Sequence, residues 1–407
     1  MQKFDHDQWA GETKHDDIIR HTVALAPFGR NHSPERLLMS KPQSYIATQD
    51  ALDAFVTLAT QAPWLSIDTE FERIKTFYPK LCLIQIGTPD AAVCLDPLAD
   101  LNLEPLCQVL SEGPAVKIFH AARQDLEVLH HALGIIPNGL FDTQIAAAMT
   151  GYGDQVGYAH LVKTICDVEL SKAYTRTPWC RRPLSEQEIL YAFDDVKYLN
   201  AIHDRLVQEL ADKDRTLWHA EDCASLLSAE WTDIDSAGVE KVAKACSGLS
   251  RQAQSVAHAL ALWREEAAKR RDRPREWLLA TQAIVALAET RPTTLAGLAK
   301  TPEVESGTVK HRGDEILKVI ADGERNAGDF VPRLPPARPD AKTKALGNAM
   351  WEALGRLSAE AGLPTSCVAK RDDIRALAAG RRDLRLLTGW RYEFAGAVLE
   401  KMAIEGS

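Results

Sequence analysis

The sequence predicts an α/β domain, in which helices flank a mixed sheet, followed by a region built of helices alone. Three observations support this fold class. Apolar runs separated by turn residues indicate strands that follow one another as a meander, and strand-like and helix-like segments then alternate. Beyond about residue 250 the pattern is helical, without strand-like runs. The chain has 407 residues, which is enough for two or three domains.

The central element is an apolar run from Leu65 to Phe71 that carries two acids, Asp68 and Glu70. In a strand, alternate side chains point to opposite faces, so these two carboxylates share a face. Their backbone positions would lie about 6.5 to 7 Å apart, which lets both acids reach one group of divalent cations. Buried acids need such compensation. An isolated Asp-x-Glu, however, more often marks only the place where a strand leaves the core.

Further strands and helices are predicted around this run. The other predicted strands are residues 81–86, 92–96, 116–120 and 140–141. The predicted helices are residues 49–60, 103–110, a segment around 126–133, 143–149 and 158–168. Asp125 falls in the opening turns of the helix around residues 126–133, where a strand-to-helix junction would face a site at the edge of the sheet.

A capping box from Ser185 to Glu188 predicts a helix that begins there and continues to Leu210. Tyr191 and Asp195 are four residues apart, so the phenol and the carboxylate would project from one face of this helix. Taken alone, the pair is more typical of a half-buried tyrosine beside a solvated aspartate.

The composition is that of an ordinary globular protein, with 45% hydrophobic and 26% charged residues. No stretch is apolar enough to span a bilayer, and the first residues lack the apolar core of a signal peptide, so we expect a cytoplasmic protein with no membrane partner. The eight cysteines occur singly and without zinc-ligand spacing, and we expect reduced thiols. A net charge of -9 means that binding of nucleic acid must depend on local basic clusters or on bound metal.

Four separated segments of the chain closely resemble the ribonuclease D family: SIDTEFERIKTFYPKLCLIQIG, KIFHAARQDLEVLH, FDTQIAAAM and RRPLSEQEILYAFDDVKYL. Their acids, in the order Asp68, Glu70, Asp125 and Asp195, together with Tyr191, are similar to the tyrosine-bearing branch of the DEDD exonuclease superfamily. The resemblance covers about residues 44–215 and implies a ribonuclease H-like fold. Ala121 stands where many DEDD exonucleases carry asparagine, which is a feature of ribonuclease D-like sequences.

The resemblance also implies the chemistry, a hydrolysis at an RNA 3' end that uses two divalent cations, Mg2+ or Mn2+. By analogy, Asp68 bridges both ions, Glu70 and Asp195 hold the ion that carries the attacking water, and Asp125 helps to hold the second ion. Tyr191 would orient the water through its hydroxyl, because a free phenol with a pKa of about 10 is a poor base at neutral pH.

Two further residues, His120 and Phe71, are candidate substrate contacts. A histidine with satisfied hydrogen bonds at the end of a strand is an equally good interpretation of His120. Asp142 and Asp194 lie near the motif acids in sequence, and we expect them to be structural or solvated.

The helical C-terminal region resembles HRDC domains. Val256, Leu260 and Trp263 fall on one helical face, a second helix is predicted from Gln282 to Glu289, and Thr294 can cap the next one. The predicted domains are residues 1–40, an N-terminal tail or extension; 41–225, the exonuclease domain; 250–328, an HRDC domain; 329–342, a Pro-rich linker; and 343–407, a second, diverged HRDC-like domain.

The function that the resemblance implies is that of a monomeric, metal-dependent 3'-5' exoribonuclease that matures tRNA precursors and other structured small RNAs. Basic clusters around Arg270 and Arg381 are candidate RNA contacts. A Werner-type 3'-5' DNA exonuclease would carry the same acids and stays an alternative. A non-catalytic RNA-binding adaptor is a second alternative, against which the intact acids and Tyr191 argue. Since residues 44–224 carry every proposed ligand, a chain that ends near residue 245 is expected to keep the chemical step.

Overall fold

The computed structural model describes residues 43–171, 174, 177–228, 234–334 and 339–406. The predicted N-terminal tail and part of the Pro-rich linker lie outside the described residues. The chain divides into two compact units. Of the described residues, the first unit contains 43–70, 81–228 and 339–406, and the second contains 71–80 and 234–334.

The first unit is built on a six-stranded mixed sheet. Its strands are β1 (Gln43–Ile46), β2 (Trp64–Glu72), β3 (Lys80–Gly87), β4 (Ala92–Leu95), β5 (Val116–Phe119) and β6 (Leu140–Asp142). Their order is β1-β4-β3-β2-β5-β6, in which β3 and β4 are antiparallel and the pairs β1/β4, β2/β5 and β5/β6 are parallel. The predicted strands are confirmed, but β1 was not predicted because only one of its four residues, Ile46, is buried.

Helices flank the sheet, which confirms the predicted fold class. They are α1 (Gln49–Gln61), α2 (Glu104–Ser111), α3 (Arg123–Leu133), α4 (Thr143–Thr150), α5 (Tyr158–Cys166), α6 (Glu186–Lys197), α7 (Leu199–Asp212) and α8 (Thr216–Leu227). Helix α6 packs on β3 and β4, where Ala192 and Phe193 share a buried cluster with Leu83 and Cys94. This packing brings α6, which carries Asp195, close to the strand β2, which carries Asp68 and Glu70.

The single helix predicted from residue 186 to residue 210 is wrong, because the chain forms α6 and α7 with a break at Tyr198. The cause is the hydroxyl of Tyr158. This hydroxyl donates to the carbonyl oxygen of Asp194 (2.9 Å) and accepts from the Tyr198 N–H (3.2 Å). In an uninterrupted helix the Tyr198 N–H would donate to the Asp194 carbonyl oxygen. The Tyr158 hydroxyl stands between these two groups, and such an insertion kinks a helix.

The C-terminal helices share a hydrophobic core with the sheet domain. They are α15 (Ala341–Glu360), α16 (Thr365–Val368), α17 (Arg371–Ala378), α18 (Gly389–Arg391) and α19 (Ala397–Glu405). Met350 and Leu354 lie in the same buried cluster as Ile202 and Leu206 of α7. The indole rings of Trp218 and Trp390 stack at 4.6 Å with an angle of 11° between planes. Residues 339–406 are therefore an integral part of the first unit.

Residues 234–334 of the second unit form a helical bundle. Its helices are α9 (Ile234–Ala245), α10 (Arg251–Arg271), α11 (Arg275–Leu278), α12 (Thr281–Thr290), α13 (Leu295–Leu298) and α14 (Ser306–Arg325). Val256 and Leu260 are buried as predicted, and the Thr294 side chain caps α13 by accepting from the Gly297 N–H (3.1 Å). Helices α10 and α14 touch at Gly323, where a Cβ atom would lie 2.7 Å from the Cα of Val256.

Residues 71–80 belong to this second unit through contacts around Phe77. The Phe77 side chain is only 2% exposed and clusters with Ala267, Ala268 and Leu278. Oδ1 of Asp272 accepts from the N–H groups of Phe77 (2.9 Å) and Tyr78 (3.2 Å). Residues 71–80 are thus held in the second unit by both packing and hydrogen bonds.

The prediction that all cysteines are reduced is wrong for two of them. Cys82 on β3 and Cys180, which are 98 residues apart, form a disulfide with a Cα–Cα distance of 5.0 Å. The fold brings together two single cysteines whose spacing in the sequence carries no signal. Cys94, Cys107, Cys166, Cys223, Cys246 and Cys367 are free thiols.

Within the described part of the chain, no helix combines the length and the apolar character that crossing a membrane requires.

Candidate active site

Three of the four predicted acids converge. Asp68 and Glu70 on β2 and Asp195 on α6 each offer a carboxylate oxygen, and these oxygens lie within 4.8 Å of one another. Strand alternation places the first two on one face, and the packing of α6 brings the third to it. A donor set of carboxylate oxygens alone suits hard cations such as Mg2+ or Mn2+. The residues present therefore fit a divalent metal.

Asp125, the fourth predicted acid, lies in the first turn of α3 and is buried. Its Oδ1 accepts from the N–H (3.1 Å) and the hydroxyl (2.6 Å) of Thr69. It lies outside the group of three, although its charge raises the pKa of Asp68, Glu70 and Asp195. Thr69 was not among the predicted site residues. Its position between two acids was visible in the sequence, but its partner depends on the fold.

The electrostatics of the cluster favour bound positive charge. Burial, and then the charges of Asp125 and Asp195, hold the pKa of Asp68 well above its usual range. Burial first and neighbouring acids second raise the pKa of Glu70 to about 8 and that of Asp195 to about 7. Burial also raises the pKa of Asp125 to about 7 against the opposing hydrogen bonds from Thr69. Carboxyls that raise one another's pKa in a confined space are typical of a functional site.

Tyr191 and Asp195 lie four residues apart on α6, as predicted. The Tyr191 ring stacks on Trp179 at 6.2 Å and lies 5.9 Å from the Tyr174 ring. Burial, followed by the charges of Asp195 and Glu70, raises the pKa of the phenol. Tyr191 therefore keeps its proton at neutral pH, which leaves its hydroxyl able to donate and accept hydrogen bonds but unsuited to act as a base.

The predicted capping box fixes the start of α6. The Ser185 hydroxyl accepts from the Glu188 N–H (3.3 Å), and Glu188 Oε2 accepts from the Ser185 N–H (2.7 Å). Arg181 donates to both carboxylate oxygens of Glu188, at 2.7 and 2.8 Å. This anchor, in which Glu188 is buried, sets the position of Tyr191 and Asp195 along the helix axis.

Of the two predicted substrate contacts, His120 lies at the end of β5. Its Nδ1 is 2.9 Å from the Thr143 hydroxyl, and within the described part of the chain its Nε2 has no hydrogen-bond partner. Burial lowers the pKa of this imidazole, so it is neutral. Phe71 follows Glu70 in β2 and is half-buried.

Asp142 is structural, as predicted. It caps α4 by accepting from the Gln144 N–H (2.8 Å), and it accepts from the Ala121 (3.2 Å) and Ala122 (2.8 Å) N–H groups. The last two bonds hold Ala121 at a φ of 58°, in the left-handed region where asparagine is more at ease than alanine. For Asp194 the structure shows burial that raises the pKa of its carboxyl.

Comparison with known proteins gives consistent matches. A family model described as a 3'-5' exonuclease matches residues 43–211, and one for the HRDC domain matches residues 253–320. A protein of Jannaschia sp. named Ribonuclease D is 37% identical over 362 residues, which are 86% of this chain and 93% of the relative. A protein of Bartonella henselae with the same name is 33% identical over 86% of this chain and 88% of the relative.

A solved structure extends this similarity to the fold. The structure of Escherichia coli RNase D, described as an exoribonuclease involved in structured RNA processing, aligns with a TM-score of 0.82 at 26% identity. The alignment covers 90% of this chain and 99% of that protein.

Proposed function

Since this chain belongs to the ribonuclease D family, it is a 3'-5' exoribonuclease, and we propose that it matures the 3' ends of tRNA precursors and other structured small RNAs. The observation that carries this proposal is the convergence of carboxylate oxygens from Asp68, Glu70 and Asp195 within 4.8 Å. A binding adaptor would gain nothing from this costly cluster of half-buried acids.

The proposed mechanism is two-metal-ion hydrolysis that releases nucleoside 5'-monophosphates. When bound, two Mg2+ or Mn2+ ions would supply activation of a water and stabilisation of the leaving 3' oxygen. Asp68, Glu70 and Asp195 would hold these ions. Asp125 would assist through its second carboxylate oxygen, because both hydrogen bonds from Thr69 go to Oδ1. Thr69 orients Asp125 through its two hydrogen bonds.

Tyr191 is proposed to orient the attacking water through its hydroxyl. The raised pKa of the phenol keeps the proton on this oxygen, and stacking on Trp179 limits the motion of the ring. His120 and Phe71, both half-buried, are proposed to contact the terminal nucleotides.

RNA is the proposed partner of the second unit, which carries the HRDC match. Arg270 and Arg271 are exposed, and among the described residues neither forms an ion pair. Burial first, and the charge of Arg271 second, lower the pKa of Arg312. Two neighbouring guanidinium groups would favour a bound anion such as phosphate. Arg381, by contrast, forms two 3.0 Å hydrogen bonds with Asp383. We therefore favour the Arg270 cluster over the Arg381 cluster as the contact to phosphate.

We also propose that the protein acts as a monomer and that residues 343–407 are a second, diverged HRDC-like module. A Werner-type DNA exonuclease would use the same acids, and contacts to the 2'-OH would decide between the two substrates.

The test of the proposed function compares substrates of matched sequence. Purified protein is incubated with a 3'-extended tRNA precursor, the same extension as a free RNA strand, and its DNA counterpart, each with Mg2+ or with EDTA. We expect nucleoside 5'-monophosphates from both RNAs with Mg2+ only. Equal or faster release from DNA would favour the alternative, and cleavage in EDTA would contradict metal dependence.

Binding of the same tRNA precursor, measured in EDTA across a salt series, tests the RNA contact. Arg271→Gln should flatten the salt dependence of precursor binding by roughly 0.7 to 0.9 in slope, whereas the matched variant Arg381→Gln should not. The opposite result would move the RNA contact to the C-terminal helices.

A further inference from the structure

Among the described residues, one buried side chain of the sheet, that of Gln85, has no hydrogen-bond partner. Gln85 on β3 is 0% exposed, and neither its Nε2 nor its Oε1 has a hydrogen-bond partner within the described part of the chain. Its neighbours Ile84 and Ile86 are fully buried apolar side chains. Burying an amide without partners costs stability, and a methionine of equal length would avoid that cost. A residue of this kind needs an explanation other than packing.

The strand register places Gln85 beside Asp68. Strands β2 and β3 are neighbours joined by residues 73–79, too few for a parallel crossover, so they are antiparallel. A Cβ atom on Gly87 would lie 2.3 Å from the Ser66 hydroxyl, so Gly87 and Ser66 face each other across the pair. In an antiparallel pair, the residues two positions further along each strand lie on the same face and also oppose each other. Gln85 therefore faces Asp68.

The opposite neighbour of Gln85 supports this placement. Gln85 pairs with Cys94 of β4, so the two side chains share a face. After burial, the charges of Asp195, Asp68 and Glu70 raise the pKa of Cys94. The face of the sheet that carries Gln85 is therefore the one that meets the acid cluster.

We propose that Gln85 is a positioning residue for Asp68, to whose carboxylate its Nε2 donates a hydrogen bond in the ion-binding state. This inference rests on the proposed function and names a residue that supports its site. Carboxylates that bind metal are themselves held by hydrogen bonds from neighbouring groups. An amide suits this position because it donates without bringing a charge: a lysine would compete with the cations, and a glutamate would add a further negative charge to the cluster.

The test uses Gln85→Met in the full-length protein, with Ile86→Met as a matched control on the opposite face of the same strand. Mn2+ binding is measured by calorimetry and by the loss of the free Mn2+ signal in electron paramagnetic resonance, and thermal unfolding is measured in EDTA. We expect Gln85→Met to unfold at the same or a higher temperature than wild type but to bind Mn2+ about 10 to 100-fold more weakly. The control should bind as wild type does.

Unchanged Mn2+ affinity in Gln85→Met, or an equal loss in Ile86→Met, would overturn the inference. If Gln85→Met does not fold, Gln85→Leu replaces it, since this variant also removes the amide donor without adding a charge. It should weaken Mn2+ binding about as much, and wild-type affinity would contradict the role. Wild-type protein that neither binds Mn2+ nor cleaves RNA would sink the proposed function as well, whereas an active wild type with unaffected variants would remove only the role of Gln85.

Discussion

Asp222 on α8 holds the C-terminal helices through a buried ion pair, and its removal gives a quantitative prediction. Its carboxylate accepts from Nη1 (2.6 Å) and Nη2 (2.8 Å) of Arg391 and from Nε1 of Trp390 (3.0 Å). Arg391 is only 4% exposed. Asp222→Ala would leave this guanidinium charge buried without its carboxylate, which typically costs about 3 to 5 kcal/mol. For a unit of this size, that corresponds to a loss of roughly 6 to 10 °C in melting temperature.

Arg385 provides the matched control. It donates to the same carboxylate at 2.8 Å, but its side chain is 58% exposed. Exposed ion pairs contribute about 0.2 to 1 kcal/mol, so Arg385→Ala should lower the melting temperature by no more than about 2 °C. Scanning calorimetry of both variants in EDTA checks the comparison. Similar shifts for the two variants would refute the idea that Asp222 anchors the C-terminal helices in the first unit.

Three further predictions concern single groups. Tyr191→Phe should lower kcat by roughly 10 to 1000-fold and leave Mn2+ affinity unchanged; lost affinity would make the phenol a structural support. Burial lowers the pKa of His219 to about 4, so the imidazole takes up a proton more readily in the unfolded chain. The free energy of unfolding therefore falls as pH drops from about 6.5 towards 4, and His219→Gln should remove about 3 kcal/mol of this fall, measured by urea unfolding. Asp272→Gly keeps the left-handed backbone (φ 46°) but loses the oxygen that accepts from the N–H groups of Phe77 and Tyr78. It should lower the free energy of unfolding by about 1 to 2 kcal/mol, whereas Asp272→Asn, which keeps an acceptor oxygen, should cost almost nothing.

Local patterns in the sequence predicted much of the site. The alternation in β2 and the four-residue spacing in α6 each place two of the proposed site residues on one face, and the capping box at Ser185 marks the start of α6. These features depend on neighbouring residues, so a single sequence reveals them.

Contacts between distant residues could not be predicted in this way. The hydroxyl of Tyr158 divides a helix that begins 28 residues later, Cys82 meets Cys180, and Asp222 meets Arg391. No local pattern specifies such partners. The contact between Asp222 and Arg391 also argues against the expectation that a chain ending near residue 245 keeps the chemical step. This truncation removes the helices that share a core with α7 and leaves Asp222 without its guanidinium partners.

The most direct test of the central claim is RNA cleavage by two neighbouring variants, Asp195→Asn and Asp194→Asn. Both remove one negative charge from the same turn of α6, but only Asp195 lies within 4.8 Å of the Asp68 and Glu70 oxygens. With Mg2+ and a 3'-extended RNA, Asp195→Asn should reduce cleavage by several orders of magnitude and still bind RNA, because a neutral amide holds a divalent ion poorly. Asp194→Asn should cleave within about tenfold of wild type. Cleavage by Asp195→Asn at a near-normal rate, or equal losses in both variants, would contradict the assignment of the active site.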